Sequence, residues 1–297
     1  MNRTEETLDP KNWDETKELA YKMVDDAIDY LKNVKDSPVW QQMPDHVKDS
    51  FKTSLPKDPS NLNEVYQKFV ENGYPYPMGN IHPRFWMWYM GSSNFTGAMG
   101  DFMAAIIGSN IGGGNHSAAR IDDQVVDWCR EMVGFPETAS GTLVSGGSMA
   151  NIIALTVARN IMADVDVRKK GVSAIKKSLR YYSSDQVHGC HQKGLEILGL
   201  GSETLVKIKS NNNFEVDIDA LKEAIKNDKE AGFKPACIIA NAGTVNTGSI
   251  DDIVALSEIC KNENIWLHID GCIGALINIA PKSKYLVSGI ELADSVA

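Results

Sequence analysis

Apolar side chains recur over residues 12–34 at Ala20, Met23/Val24, Ala27/Ile28, Leu31 and Val34, the three-and-four spacing of an amphipathic helix. Asp36-Ser37-Pro38 stops it. A second helix is expected after Pro59-Ser60-Asn61, running through Val65, Phe69 and Val70. Two such stripes without a sheet cannot both be buried, so these helices are expected to pack on another subunit or on the larger domain. After Pro83 the chain turns aromatic and glycine-rich and then alternates between two periods. Helices are expected at 95–107, 122–132, 148–164, 188–198, 218–231 and 250–263. Strands are expected at 141–145, 180–183, 204–209, 236–240 and 265–269. Short apolar strands separated by helices predict an α/β fold with a mostly parallel sheet, whose ligands lie beyond the carboxyl ends of the strands. The texture change divides the chain into a helical segment, 1–80, and a sheet domain, 81–297.

Composition narrows the function classes. The chain has 297 residues, 43% hydrophobic and 23% charged, a globular balance with enough length to bury a core unaided. Thirty basic against 39 acidic residues give a net charge of −9, which argues against a sequence-independent nucleic-acid binder. Five scattered cysteines with no C-x-x-C pair read as reduced thiols. The polar start, Met1-Asn2-Arg3-Thr4-Glu5-Glu6, lacks the apolar stretch of a signal peptide, and no apolar run suggests a membrane span. A cytoplasmic protein is expected.

Three strand ends carry candidate chemistry. Ser145-Gly146-Gly147-Ser148-Met149-Ala150-Asn151 lies between an expected strand and a long helix. Its glycines allow close backbone approach, and free N–H groups at a helix start suit a phosphate. An ordinary turn with a serine cap would look the same. Ser183-Ser184-Asp185-Gln186-Val187-His188 offers an imidazole for stacking or proton transfer, although a loop histidine is more often structural. His191, one turn on, weakens a claim made from His188 alone. The two could share a metal at that spacing, but no third ligand is evident and none is expected. Trp266-Leu267-His268-Ile269-Asp270-Gly271-Cys272 sets an aspartate directly after an apolar strand, where it needs a positive partner or serves as a helix cap. A polar, glycine-flanked loop, Asn241-Ala242-Gly243-Thr244-Val245-Asn246-Thr247-Gly248, follows another strand.

In this order the motifs resemble the group II pyridoxal-phosphate-dependent amino-acid decarboxylases (aromatic-amino-acid, glutamate and histidine decarboxylases), of the aspartate aminotransferase-like fold, PLP fold type I. The stretches that carry the resemblance are His82-Pro83-Arg84-Phe85-Trp86, Val144 to Asn151, Ser184 to His188, Gly243 to Gly248, Trp266 to Asp270 and Ala293-Asp294-Ser295. The resemblance implies that Gly146, Gly147 and Ser148 hold the phosphate of pyridoxal 5'-phosphate. It further implies that His188 stacks on the pyridine ring, that Asp270 pairs with its nitrogen, and that Thr244 and Cys272 lie close by. The substrate would be an L-amino acid, decarboxylated to an amine, with His82, Trp88, Tyr89 and the stretch 110–116 near it. The helical segment would clasp a second subunit in a homodimer.

The family's Schiff-base lysine sits in a His-Lys pair shortly after Ala-Asp-Ser. Here Ala293-Asp294-Ser295 is followed only by Val296 and Ala297, and Lys282 and Lys284 read as a solvated turn. The expectation is therefore a C-terminally truncated chain, without the small C-terminal domain and with little or no turnover. Where family loops often read Gly-Thr-Thr, this chain has Gly243-Thr244-Val245, losing one hydroxyl. Three alternatives remain open: a related carbon–carbon lyase similar to the sphingosine-phosphate lyases, a non-catalytic chain that binds cofactor or pairs with a full-length homologue, and a plain fragment with no function of its own.

Overall fold

The computed structural model describes residues 7, 9–108 and 110–297. The polar start at residues 1–6, read above as free of a signal peptide, lies outside them. Among the described residues, no helix is long and apolar enough to cross a membrane. Contacts divide the chain into two units, Met1–Ser109 and Asn110–Ala297. The texture change near residue 80 lies inside the first unit, because the helix at 95–107 belongs with what precedes it.

The first unit is helical. Helix α1 (Trp13–Asn33) starts where the Asn12 side chain accepts the backbone N–H groups of Asp14 and Glu15. Helix α2 (Asp45–Ser50) is a single short piece that the apolar spacing did not predict. Helix α3 (Leu62–Asn72) is capped in the same way by Asn61, and α4 (Phe95–Ile107) by Asn94, with Gly108 closing it in the left-handed region at φ 62°. The Tyr66 hydroxyl donates to Asp26 Oδ2 at 2.7 Å, tying α3 to α1, and Lys22 completes the group from one turn away. The apolar stripes are largely uncovered. Leu19 is the buried residue of α1 and Tyr66 that of α3, while α4 buries none of its apolar residues.

The second unit contains the sheet. Its helices are α5 (Ser117–Val133), α6 (Gly147–Met162), the single turn α7 (Val167–Lys170), α8 (Cys190–Ile197), α9 (Ile218–Glu230) and α10 (Ile253–Glu263). Its strands are β1 (Leu179–Ser184), β2 (Leu205–Ile208), β3 (Lys234–Asn241), β4 (Trp266–Asp270) and β5 (Ser295–Val296). They lie in the order β2-β1-β3-β4-β5, all parallel. The chain leaves β1 in one direction to form β2 and then returns past it to form β3. The strand order therefore reverses between β1 and β3, the place where open α/β sheets bind ligands.

Strand periodicity assigns the two faces. Along β3, Ile238 and Ala240 join one buried cluster with Leu221, Ile225, Leu256 and Leu267. Cys237 and Ile239 join the other, with Leu155, Ala158 and Leu195. Alternate residues of a strand face opposite ways, so α9 and α10 cover one side and α6 and α8 the other. Buried Asp251 accepts the backbone N–H of Asn241 at 2.7 Å and that of Val216 at 2.7 Å, fastening the end of β3 to the loop before α9.

One expected strand is absent. Residues 141–145 run without a strand partner, and Leu143 is half exposed. An extended segment becomes a strand only beside an edge that takes its N–H and C=O groups, and none lies there among the described residues. Conversely, the two-residue β5 escaped notice because it is too short to show periodicity. It exists because Ser295 and Val296 pair with His268 and Ile269.

Ile238 is 1% exposed in the central strand. Replacing it with alanine is expected to lower the unfolding free energy by about 2–5 kcal/mol, read from urea denaturation. A loss below about 1 kcal/mol would show that β3 is not the centre of the core.

Candidate functional site

The polar residues of the second unit converge at the carboxyl ends of β1, β3 and β4. Asp270 is the last residue of β4 and shares its face with Trp266 and His268, four and two positions earlier. That face is the one covered by α6 and α8, and α8 brings His191 to it. His191 Nε2 lies 2.8 Å from Asp270 Oδ2, with the imidazole fully buried and the carboxylate side chain 12% exposed. Burial would raise the Asp270 carboxyl. The hydrogen bond and charge of His191, with smaller help from Cys272 and His268, outweigh it and hold the group well below the usual carboxylate range. Asp270 is thus a buried, ionised carboxylate at a ligand-binding edge.

Behind it runs a chain of hydrogen bonds. The Trp266 indole donates from Nε1–H to Ser295 Oγ at 2.9 Å. At the other end Asn151 Oδ1 can only accept, so His268 donates to it from Nε2 at 2.8 Å, and the remaining nitrogen of the neutral ring, Nδ1, accepts from the Ser295 hydroxyl at 2.9 Å. The Asn151 amide nitrogen is left facing two sulfurs, Cys190 Sγ at 3.6 Å and Cys272 Sγ at 4.0 Å. His268 is held as the neutral Nε2–H tautomer. Burial, helped by nearby His191, pushes its pKa down to about 3.

Helix α6 begins beside this group. Gly146 stands at φ 128°, in the region glycine tolerates and other residues do not. A Cβ on Gly147 would lie 2.6 Å from Cys272 Sγ, so that position has no room for a side chain. No side chain caps the helix, leaving the first N–H groups of a 16-residue helix without a protein partner from a cap. Cys272 connects this turn to the carboxylate, its backbone N–H reaching Asp270 Oδ1 at 3.5 Å.

The other expected residues fall as follows. Ser148 is exposed at the start of α6. His188 is exposed after β1, its Nδ1 accepting the Cys190 N–H at 3.2 Å. Thr244 is buried, and its hydroxyl meets Thr247 Oγ1 at 2.6 Å, closing its own loop. Trp88 and Tyr89 are exposed in the first unit, Trp88 at φ 42°. His82 is buried there with both ring nitrogens engaged: Nε2 lies 3.1 Å from Ser37 O, and Nδ1 accepts the Arg84 N–H at 3.0 Å. Lys282 and Lys284 are exposed, as the turn reading expected.

Several site residues went unread in the sequence. His191 was set against His188, whereas the turn into α8 leaves His188 outward and carries His191 inward. Asn151, Cys190 and Ser295 had no assigned role. His268, two residues before Asp270 on the same strand face, carried the signal that could have found this chain. Cys190, His191 and Asp270 also bring a sulfur, a nitrogen and an oxygen within 4.8 Å of one another. Burial and the Asp270 charge raise the pKa of the Cys190 thiol.

Residues 44–297 match the family model described as pyridoxal-dependent decarboxylase conserved domain. The chain belongs to this family. It is 34% identical to an aromatic-L-amino-acid decarboxylase of Bacillus atrophaeus over 95% of its own length and 58% of the relative's. It is 30% identical to tryptophan decarboxylase 2 of Oryza sativa subsp. japonica, over 98% of this chain and 60% of that one. A crystal structure of Oryza sativa TDC with PLP and tryptamine superposes with a TM-score of 0.84 at 22% identity, covering 98% of this chain and 61% of the other. The fold is thus that of the family, and the chain spans about three-fifths of the length of the curated relatives it matches. That family is one of pyridoxal-dependent decarboxylases.

The residues present fit that cofactor. An ionised carboxylate with an exposed margin suits a pyridinium N–H, and an uncapped glycine turn one cysteine away suits a phosphate.

His268 gives the second unit a signature in acid. Its unfolded form takes up a proton below about pH 6.5, whereas the folded form refuses one until about pH 3. Stability therefore falls as pH drops through that window, with a slope approaching 1.4 kcal/mol per pH unit. Denaturant midpoints between pH 7 and 5 should decline more steeply in the wild-type chain than in His268→Gln. Equal slopes would show that His268 is protonated in the folded state.

Proposed function

We propose that this chain is the cofactor-binding part of a pyridoxal-phosphate-dependent decarboxylase acting on an L-amino acid of the aromatic class. The observation that carries this reading is Asp270, kept ionised at the carboxyl end of β4 beside the uncapped turn Gly146-Gly147-Ser148. Relatives that are aromatic-L-amino-acid and tryptophan decarboxylases support the substrate class.

In this reading the backbone N–H groups of Gly147 and Ser148 hold the cofactor phosphate, and Asp270 accepts the ring N–H. When bound, the cofactor supplies an electron sink for the pair left on Cα as CO2 departs. The chain's own residues bind and orient. Asp270 keeps a proton on the ring nitrogen. His188, on the exposed lip after β1, covers one face of the ring, and Thr244 and Cys272 hold the loops beneath it. Within the first unit, Trp88 and Tyr89 are exposed candidates for contact with an aromatic substrate, and His82 braces the segment that precedes them. The sphingosine-phosphate lyase alternative gains no support from the relatives named.

The domains assigned to this work are the helical segment 1–80 and the cofactor domain 81–297. Exposed apolar residues on α1 and α3, among them Met23, Val65 and Phe69, support pairing of two subunits through the helical segment. Five free cysteines support a reducing, cytoplasmic setting.

The resemblance calls for a lysine after Ser295 that these 297 residues do not supply. Binding by this chain alone is therefore reversible, and its decarboxylation of L-tryptophan, L-tyrosine or L-phenylalanine stays at background. Titration of pyridoxal phosphate, followed by absorbance, is expected to saturate. Asp270→Asn is expected to weaken it about tenfold or more, the worth of a charge-assisted hydrogen bond. Gly147→Ala is expected to weaken it as well, through the clash with Cys272. Equal affinity in wild type and Asp270→Asn would remove the basis of the reading, and turnover by the 297-residue chain would refute the account of the lysine.

A further inference from the structure

His191 is expensive where it stands. Its ring is fully buried, Nε2 faces Asp270 Oδ2 at 2.8 Å, and Nδ1 has no hydrogen-bond partner. A buried ring nitrogen left unsatisfied costs about 1–3 kcal/mol, a cost an apolar residue at this helix position would avoid. What the imidazole contributes in return is a single donor, aimed at one oxygen of one carboxylate. His188 cannot substitute, because the turn that starts α8 carries it to the exposed side and commits its Nδ1 to the Cys190 N–H.

The two carboxylate oxygens are treated differently. Oδ2 takes the short, charge-assisted bond from His191. Oδ1 takes the long 3.5 Å approach of the Cys272 N–H, on the side where Cys272 meets the Gly147 turn, and the Cys272 thiol is a further weak donor to the carboxylate. A carboxylate anchored by one oxygen cannot rotate freely about its last bond, and its other oxygen then points in a set direction. The neighbouring acceptors cannot compete for the Nε2 proton. Asn151 Oδ1 is filled by His268, whose ring centroid lies 6.0 Å from that of His191.

We infer that His191 is the positioning residue of Asp270: by donating to Oδ2 it fixes the carboxylate plane and reserves Oδ1 for the N–H of a pyridinium ligand. This rests on the cofactor reading above and adds to it a residue that the motif analysis passed over. The consequence is a coupling between His191 and the ring nitrogen specifically, not between His191 and the ligand as a whole.

The test compares two ligands on three chains. Pyridoxal phosphate and its 1-deaza analogue, in which a C–H replaces the ring nitrogen, are titrated into wild type, His191→Phe and His191→Gln, with circular dichroism confirming the fold. His191→Leu takes the place of His191→Phe if the latter does not fold. The apolar variant is expected to weaken pyridoxal phosphate by about tenfold to a hundredfold, the range for a hydrogen bond to a charged group, and the analogue by less than about twofold. His191→Gln, whose amide keeps a donor, is expected to restore pyridoxal phosphate affinity to within about threefold of wild type. Equal weakening of both ligands, or no rescue by glutamine, would overturn the assignment and leave the cofactor reading standing. Failure of the wild-type chain to bind either ligand would instead defeat the cofactor reading and this assignment with it.

Discussion

A carboxylate held ionised at the end of β4 is the constraint on which the rest of the second unit's polar architecture turns. Asp270 is only 12% exposed, and an unpaired charge at that depth would be protonated or would unfold its surroundings. The structure meets this with a buried imidazole from α8, which obliges that helix to lie against β4's polar face. It also obliges α6 to sit beside α8, because His268, on the same face as Asp270, takes its partner Asn151 from α6. Sheet parity does the geometric work: Trp266, His268 and Asp270 share one side of a strand, while Leu267 and Ile269 build the core on the other.

The direction of the hydrogen bonds follows from an acceptor-only group. Because Asn151 Oδ1 can only accept, the neutral His268 ring donates from Nε2 and accepts at Nδ1 from Ser295, which in turn accepts from the Trp266 indole, and the amide nitrogen of Asn151 ends facing Cys190 and Cys272. Ser295, in β5, and Asp294, just before it, join this arrangement: Asp294 exchanges hydrogen bonds with Leu267, its carboxylate accepting the Leu267 N–H at 2.8 Å. The Ala293-Asp294-Ser295 motif thereby has a local structural purpose in aligning β4, independent of anything that follows it in a longer relative.

Much of this was legible in the chain. Helices at 95–107, 218–231 and 250–263 showed their period plainly, and β1 to β4 stood out as short apolar runs between them. The strand at 141–145 was misread because an apolar run signals a strand only when a neighbouring edge exists, which is tertiary information. At the site, Gly147 and Asp270 were found because glycine turns and strand-end carboxylates are conspicuous locally. His191 was not, because whether a histidine one turn into a helix faces inward depends on how the preceding turn aims that helix. Asn151 and Ser295 needed the sheet register before either could be paired with His268.

In the function proposed above the labour divides: backbone N–H groups of α6 would hold a phosphate, Asp270 would accept a hydrogen bond from the ring N–H, and His191 would keep Asp270 aimed. The family supplies the identity of the cofactor, and the geometry explains why these residues suit it. The most direct check is the nitrogen-15 chemical shift of pyridoxal phosphate bound to this chain, labelled at the ring nitrogen. A protonated pyridinium shift is expected at neutral pH, because an ionised Asp270 stabilises the ring N–H. A shift characteristic of an unprotonated ring nitrogen at neutral pH would contradict it.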